Sequence, residues 1–230
     1  MKITSAFCSL LACLLLATSV APAFAALKIT EVYPGVSGPD GTSDWIEITN
    51  FGAAPISLDG LFYDDGGSPT IMADQALADI TVGAGESVVA LVDFEDDGNT
   101  PAGAVADFQA VWGTGITVFA VTGGGGLGGG GDTANILDGA GSIIDSFTYS
   151  GALTNTVSTL FDTSGMGVAK QSVFGVGGTF VSNPFANDSL FTGITEIALT
   201  GSPGVNVPEP AAASLLCLML AAAGVSRRRR

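Results

Sequence analysis

The chain contains no histidine. That absence removes the usual general base near neutral pH, the Ser-His-Asp arrangement and the commonest zinc ligand together. The three cysteines are Cys8, Cys13 and Cys217, all in terminal apolar runs. The span between, about Ala26 to Val207, therefore holds no disulfide, thiol nucleophile or cysteine metal site. Positive charge is scarce as well. Only Lys28 and Lys170 oppose 22 acidic residues between Glu31 and Glu209, a balance of −20. Phosphate contacts need a basic patch, so no nucleic-acid partner is expected. Cations, basic surfaces or a salty medium are compatible surroundings, and solubility is the simplest account of the acidity. Trp45 and Trp112 are the only tryptophans. A glycosidase cleft usually carries more aromatic residues, and the sequence singles out no carboxylate pair, so a carboxylate hydrolase is the least favoured reading.

What is present begins with the two ends. Lys2 provides a positive n-region, Leu10 to Leu16 lies in an apolar stretch, and Ala23-Phe24-Ala25 has the small-x-small form of a signal-peptidase site. Cleavage is expected between Ala25 and Ala26. Leu10-Leu11-Ala12 before Cys13 offers a lipoprotein alternative, disfavoured because the apolar region continues past Cys13 to the better site.

At the other end stand Val207, Pro208, Glu209 and Pro210, an apolar run from Ala211 to Val225, then Ser226 and Arg227, Arg228, Arg229 and Arg230. The run is uncharged but shorter than the ~20 residues of an ordinary spanning helix. Bilayer thinning and snorkelling arginine stems make up such a shortfall. The arginines stay cytoplasmic by the positive-inside rule, and the prolines mark where a helix ends. This order resembles the PEP-CTERM sorting signal of bacterial envelope and extracellular proteins, which an exosortase, a membrane transpeptidase-like enzyme, recognises. The resemblance implies that residues 206–230 are an address and that the four arginines hold orientation. A plain C-terminal anchor is the competing reading.

About 180 residues remain between the two signals, enough for one sizeable core. Glycine is abundant, and Val, Ile, Thr and Phe are frequent, which favours strands and turns. Leu27 to Val32 alternates as a first strand. In Asp44 to Asn50, Ile46 and Ile48 share one face while Trp45, Glu47 and Thr49 share the other. Asn50-Phe51-Gly52 ends that strand, and Ile56 to Tyr63 is the next. Ser87 to Phe94 reads as a central strand. Residues 132–138 and 142–149 form a hairpin about Gly139 to Gly141. Residues 71–79 and 101–112 each have room for a short helical turn. Gly123 to Gly131 is nearly pure glycine, lacks a phosphate-loop lysine and reads as a flexible loop. The expected core is Ile29, Val32, Ile46, Ile48, Leu58, Leu61, Val89, Leu91, Ile136, Ile144 and Phe147.

Several of these stretches resemble a lamin-tail domain: Ile29-Thr30-Glu31-Val32, Trp45-Ile46-Glu47-Ile48-Thr49-Asn50, Leu58-Asp59-Gly60-Leu61, Asp132 to Asp138 leading into Ile144-Asp145-Ser146, and Gly201-Ser202-Pro203-Gly204. Leu61 departs from the family's frequent aromatic. The resemblance implies an immunoglobulin-like antiparallel β-sandwich, and the short strands between Gly, Asp, Asn and Pro clusters point independently to that all-β class. The expected organisation is a signal peptide over 1–25, the sandwich over 26–205 and the sorting signal with a single membrane helix over 206–230.

Asp93-Phe94-Glu95-Asp96-Asp97-Gly98-Asn99 is the densest acidic run. Asp93, Glu95 and Asp97 are the candidate calcium ligands, since clustered hard oxygen donors suit calcium. Ala104 stands where an EF-hand needs a bidentate glutamate, so an irregular calcium loop competes with a solvated acidic turn. Asp64-Asp65-Gly66-Gly67 is a turn with a smaller claim on a metal. The resulting expectation is an acidic, exported, non-enzymatic structural or adhesion protein of the cell envelope or extracellular matrix. Its partners would be signal peptidase and exosortase during export, the inner membrane through its C-terminal helix, and a surface polysaccharide or other envelope proteins. No cofactor is expected beyond the candidate calcium. A calcium- or glycan-binding surface module is the alternative.

Overall fold

The computed structural model describes residues 26–35, 43–94, 99–123, 125–150, 158–160, 170–174, 179–183, 185–186 and 196–205. The strands in chain order are β1 (Leu27–Tyr33), β2 (Asp44–Asn50), β3 (Ile56–Ser57), β4 (Phe62–Asp64), β5 (Thr81–Val82), β6 (Ser87–Val92), β7 (Val118–Ala120), β8 (Gly131–Leu137) and β9 (Ile143–Ser150). Six two-residue strands follow: β10 (Thr159–Leu160), β11 (Lys170–Gln171), β12 (Phe180–Val181), β13 (Phe185–Ala186), β14 (Glu196–Ile197) and β15 (Thr200–Gly201). One helix, α1 (Pro101–Trp112), joins β6 to β7.

The main sheet has the order β11-β10-β1-β2-β6-β7, and the facing sheet β4-β8-β9. Pairing is antiparallel except between β6 and β7, which run parallel because α1 supplies the crossover. This is an all-β, immunoglobulin-like sandwich with one helix laid on its outer face. Between the sheets pack Ile29, Val32, Ile46, Ile48, Val88, Ala90 and Val92 from the main sheet, with Tyr63, Ala134, Ile136 and Phe147 opposite. On the outer face, Tyr33, Trp45, Val89 and Leu91 meet Ala104, Phe108, Val111 and Trp112 of α1, together with Leu199. The central strands are therefore covered on both faces, and every residue of β6 is buried.

Two bulges explain how the hydrophobic pattern is read. Ile29 and Val32 have opposite parity, yet both face the inner core. The β1–β2 register shifts between Ile29 and Glu31, leaving Thr30 as the extra residue. Glu31 is thereby turned to the outer face opposite Glu47, while Val32 returns inward opposite Ile46. A second shift lies between Ile136 and Leu137, which pair with Asp145 and Ile143. Ile144 is the bulged residue there, and it is half-buried against the core rather than inside it. The other ten expected core residues are buried.

The stretch 101–112 is more than a short turn: α1 is 12 residues long. Thr100 caps it by accepting from Gly103 N at 3.1 Å, and Pro101 stands where its missing N–H costs nothing. Residues 71–79 contain a single 3-10 turn, Ala73–Gln75. Among the described residues no helix is long and apolar enough to cross a membrane. The expected membrane run lies outside the described residues.

Candidate functional site

Two polar constellations stand out, and the first is inside the outer layer. Glu31 and Glu47 face each other across β1 and β2 at 0% and 2% exposure. Ser202 donates its N–H to Glu31 Oε1 at 2.9 Å and its hydroxyl to Oε2 at 2.8 Å. Ser158 donates its hydroxyl to Oε1, and Ser172 stands behind it at 2.6 Å. Glu47 Oε2 accepts the N–H of Gly204 at 2.7 Å, and Oε1 lies 2.5 Å from the Thr30 hydroxyl. A chain of hydroxyls continues from Thr30 to Thr49 at 2.8 Å and on to Ser87 at 2.7 Å.

Burial pushes both carboxyls above the ordinary glutamate range. Glu47 is pushed up to about 8, first by burial and then by the charge of Glu31. The hydroxyls and N–H around Glu31 oppose its own rise by favouring its charged form. Two adjacent carboxyls in a dry interior resist ionising together. Every carboxyl oxygen is engaged by the chain itself. The arrangement ties Ser158, Ser172, Ser202 and Gly204 to β1 and β2.

The second constellation is the glycine-rich loop ahead of β8. It passes a row of carboxylates from different elements. Gly125 lies against Asp65 and Gly126 against Asp93, so closely that a Cβ at either position would run into the carboxylate. Leu127 donates its N–H to Asp44 Oδ2 at 2.6 Å, and Gly128 donates to Asp132 Oδ2 at 2.7 Å. Tyr149 donates its hydroxyl to Gly128 O at 3.0 Å. The expected flexible loop is thus packed on aspartates over its described residues, and glycine is required because the backbone approaches so near. Asp65 is raised by partial burial and then by Asp132, Asp64 and Asp93. Burial raises the Tyr63 phenol, and Asp65, Asp44 and Asp132 raise it further. Its hydroxyl is buried with no hydrogen-bond partner among the described residues. Among those residues no three acidic side chains converge as a ready metal cage.

Of the sites read from the sequence, Asp93 follows β6 at φ 55, in the left-handed region. Glu95 and Asp97 lie outside the described residues, as do Ala23, Ala25, Val207 to Pro210 and Arg227 to Arg230. Ala26 is the first described residue, and its carbonyl accepts from Phe51 N at 2.8 Å. Asp64 spends its carboxylate on its own turn, accepting from Gly66 N at 2.7 Å and Gln75 Nε2 at 3.1 Å. The buried pair itself was not found from the sequence. The available signal was Glu47 sharing a strand face with Trp45 and Thr49; the serines that cover Glu31 come from more than 100 residues away.

A family model described as Lamin Tail Domain matches residues 21–151. A second, for the PEP-CTERM protein-sorting motif, matches residues 206–230. No curated protein matches the chain.

Proposed function

From a chain that belongs to the Lamin Tail Domain family and carries a PEP-CTERM sorting motif, we propose a structural or adhesive protein of the envelope surface or extracellular matrix. The motif makes it an exosortase-sorted, exported protein. The sandwich over 26–205 would be the delivered part, freed of residues 1–25 and, near Pro208, Glu209 and Pro210, of its tail. The observation that carries a non-catalytic role is the sealed state of Glu31 and Glu47. This closely paired set of carboxyls is fully engaged with Ser158, Ser202, Thr30 and Gly204, which is chemistry for holding a chain together.

Intact mass and fractionation in the native host test this reading. The expected product starts at Ala26, ends near Val207 to Pro210 and sits in envelope or medium. Glu209→Ala and Pro210→Ala should leave a precursor retaining Arg230 in the inner membrane. Unchanged maturation in both variants would remove the role given to the motif.

A calcium-assisted surface module is the second reading. Its support is the row of carboxylates under the glycine loop, with the Tyr63 hydroxyl, which has no hydrogen-bond partner among the described residues, buried near Asp65, Asp44 and Asp132. Such oxygen donors suit a hard cation, with Asp93 as the link to the acidic run that follows. Calcium should then raise the melting temperature, and a chelator should release the protein from a polysaccharide gel. A titration with neither heat nor thermal shift would remove the second reading and leave the first intact.

A further inference from the structure

The cover over Glu31 and Glu47 is held more weakly than the strands beneath it. The two glutamates are partners across β1 and β2, and like charges placed directly opposite on a sheet repel. The groups that face them are neutral. Thr30 and Thr49 come from β1 and β2, with Ser87 of β6 behind them. Ser158 and Ser172 come from the ends of β10 and β11, and Ser202 and Gly204 from the chain after β15. The charged groups on these elements have other places. Lys28 of β1 is engaged by Asp145. Asp107 of α1 accepts from Asn99, and Asp44 of β2 from Leu127. Lys170 stands on β11 opposite Leu160.

β1 and β2 pair along their whole length, whereas β15 meets β12 at two residues only. Beyond β15 the N–H groups of Ser202 and Gly204 go to the two carboxyls and not to a strand. Leu199 fills the outer aromatic cluster. Gly201 is wedged between: a Cβ there would lie 3.0 Å from both Glu31 Oε1 and Trp112 Cη2. Residues 199–204 are thus one seam, with the carboxyls on one side and Trp112 on the other. Charge that builds beneath the seam meets its weakest restraint there.

We propose that the glutamate pair is a proton-held latch: residues 199–204 stay seated on β1 and β2 while the carboxyls are protonated and lift away when both ionise, with the β1–β2–β6 ladder still paired. Lifting gives both charges to water. The seated state holds Glu47 at about 8, against an ordinary 4.5. A proton bound more tightly in the seated state favours that state fully below the ordinary value. The preference is lost as pH rises towards the seated value and is level above it. The latch goes beyond the structural role proposed above and does not rest on it.

Hydrogen exchange followed by mass spectrometry tests this on the protein as purified from its native host. Peptide rates are corrected for the intrinsic effect of pH on amide exchange. Between pH 5 and pH 8 the protection of residues 199–204 should fall by about tenfold per pH unit for each proton released. Protection in β1 and β2 should stay constant over the same range. Glu47→Gln, which cannot ionise, should keep the seam protected at pH 8. Trp45 and Trp112 are the only tryptophans and both line the outer cluster, so acrylamide quenching should rise over the same pH range in the parent. A flat corrected protection of the seam from pH 5 to pH 8 overturns the latch. So does protection lost in step with β1 and β2, which would mean unfolding of the whole domain. A parental pH slope in Glu47→Gln overturns it as well. Should that variant not fold, the parent's two regional profiles decide alone.

Discussion

Glu47 is the residue whose ionisation the fold controls most tightly. Its carboxyl is raised from the ordinary 4.5 to about 8 by burial and by Glu31. A group raised on folding stabilises the native state fully below its unfolded value, and that contribution is lost as pH climbs through the folded value. With respect to Glu47 the domain should therefore be most stable below about pH 4.5, weaken as pH rises towards about 8 and level off above it. Each kcal/mol lost lowers the melting temperature by about 2–4 °C in a domain of this size. Glu47→Gln mimics the protonated acid: its carbonyl still accepts from Gly204 N, and its amide can donate to Thr30. The variant should lose this part of the pH slope and melt higher than the parent at pH 9. A full wild-type slope in Glu47→Gln, measured by thermal denaturation from pH 5 to pH 9, would show that the controlling proton sits elsewhere.

At the scale of elements, the question is what ties the two sheets at their edge. Asp145 of β9 accepts Lys28 Nζ at 2.6 Å and the N–H of Ile29 at 2.8 Å. The two bonds are unequal in weight. Lys28 is 42% exposed, so its ion pair is screened and is worth less than about 1 kcal/mol. The Ile29 N–H sits next to the β1 bulge, and orphaning a buried donor costs about 1–3 kcal/mol. Lys28→Ala should thus be nearly neutral, while Asp145→Ala should be clearly destabilising in urea denaturation. Equal effects would mean that the ion pair, and not the capped bulge, holds β9 to β1.

The same scale shows what the sequence could reveal. Ile46 and Ile48 against Trp45, Glu47 and Thr49 was readable from alternation, because a strand's period of two is local. Asn50 as a turn former was readable too; its side chain accepts from Gly52 N at 2.8 Å and donates to Val82 O at 3.0 Å. The length of α1 was harder to see, since Gly103, Val105 and Val111 are poor helix formers. Its stability comes from Phe108 and Trp112 packing edge-on to Trp45 at 6.2 and 6.0 Å, contacts between residues more than sixty apart in the chain. The cover on Glu31 and Glu47 was not readable at all, because Ser158, Ser172, Ser202 and Gly204 carry no local pattern that names their partner. The glycine run looks flexible for a related reason: composition reports freedom, while the aspartates that use it lie on β2 and β8, directly after β6 and in the turn after β4.

Over the whole molecule, the family match and the folding unit need not coincide. The match ends at residue 151, yet Glu31 is satisfied from beyond it and Glu47 takes one of its donors from there. Ser158, Ser202 and Gly204 supply the long-range donors, and Leu199 is completely buried in the outer cluster. A chain of residues 26–150 keeps every long strand and α1. It nevertheless strips Glu31 of its hydroxyl cover and opens the outer face above β1 and β2. Leaving buried carboxyl oxygens without their donors costs about 1–3 kcal/mol per lost partner, a sizeable share of the ~5–15 kcal/mol that an ordinary domain has in total. Residues 26–150 should therefore give a broad, non-cooperative melt by calorimetry or aggregate on expression, while residues 26–205 should unfold in one transition. A sharp transition for the shorter chain, at a temperature close to that of the longer, would show that the C-terminal segment is an appendage and that water can replace its bonds. The expected failure of the shorter chain instead makes the described residues around Ser158, Leu199, Ser202 and Gly204 integral to the fold.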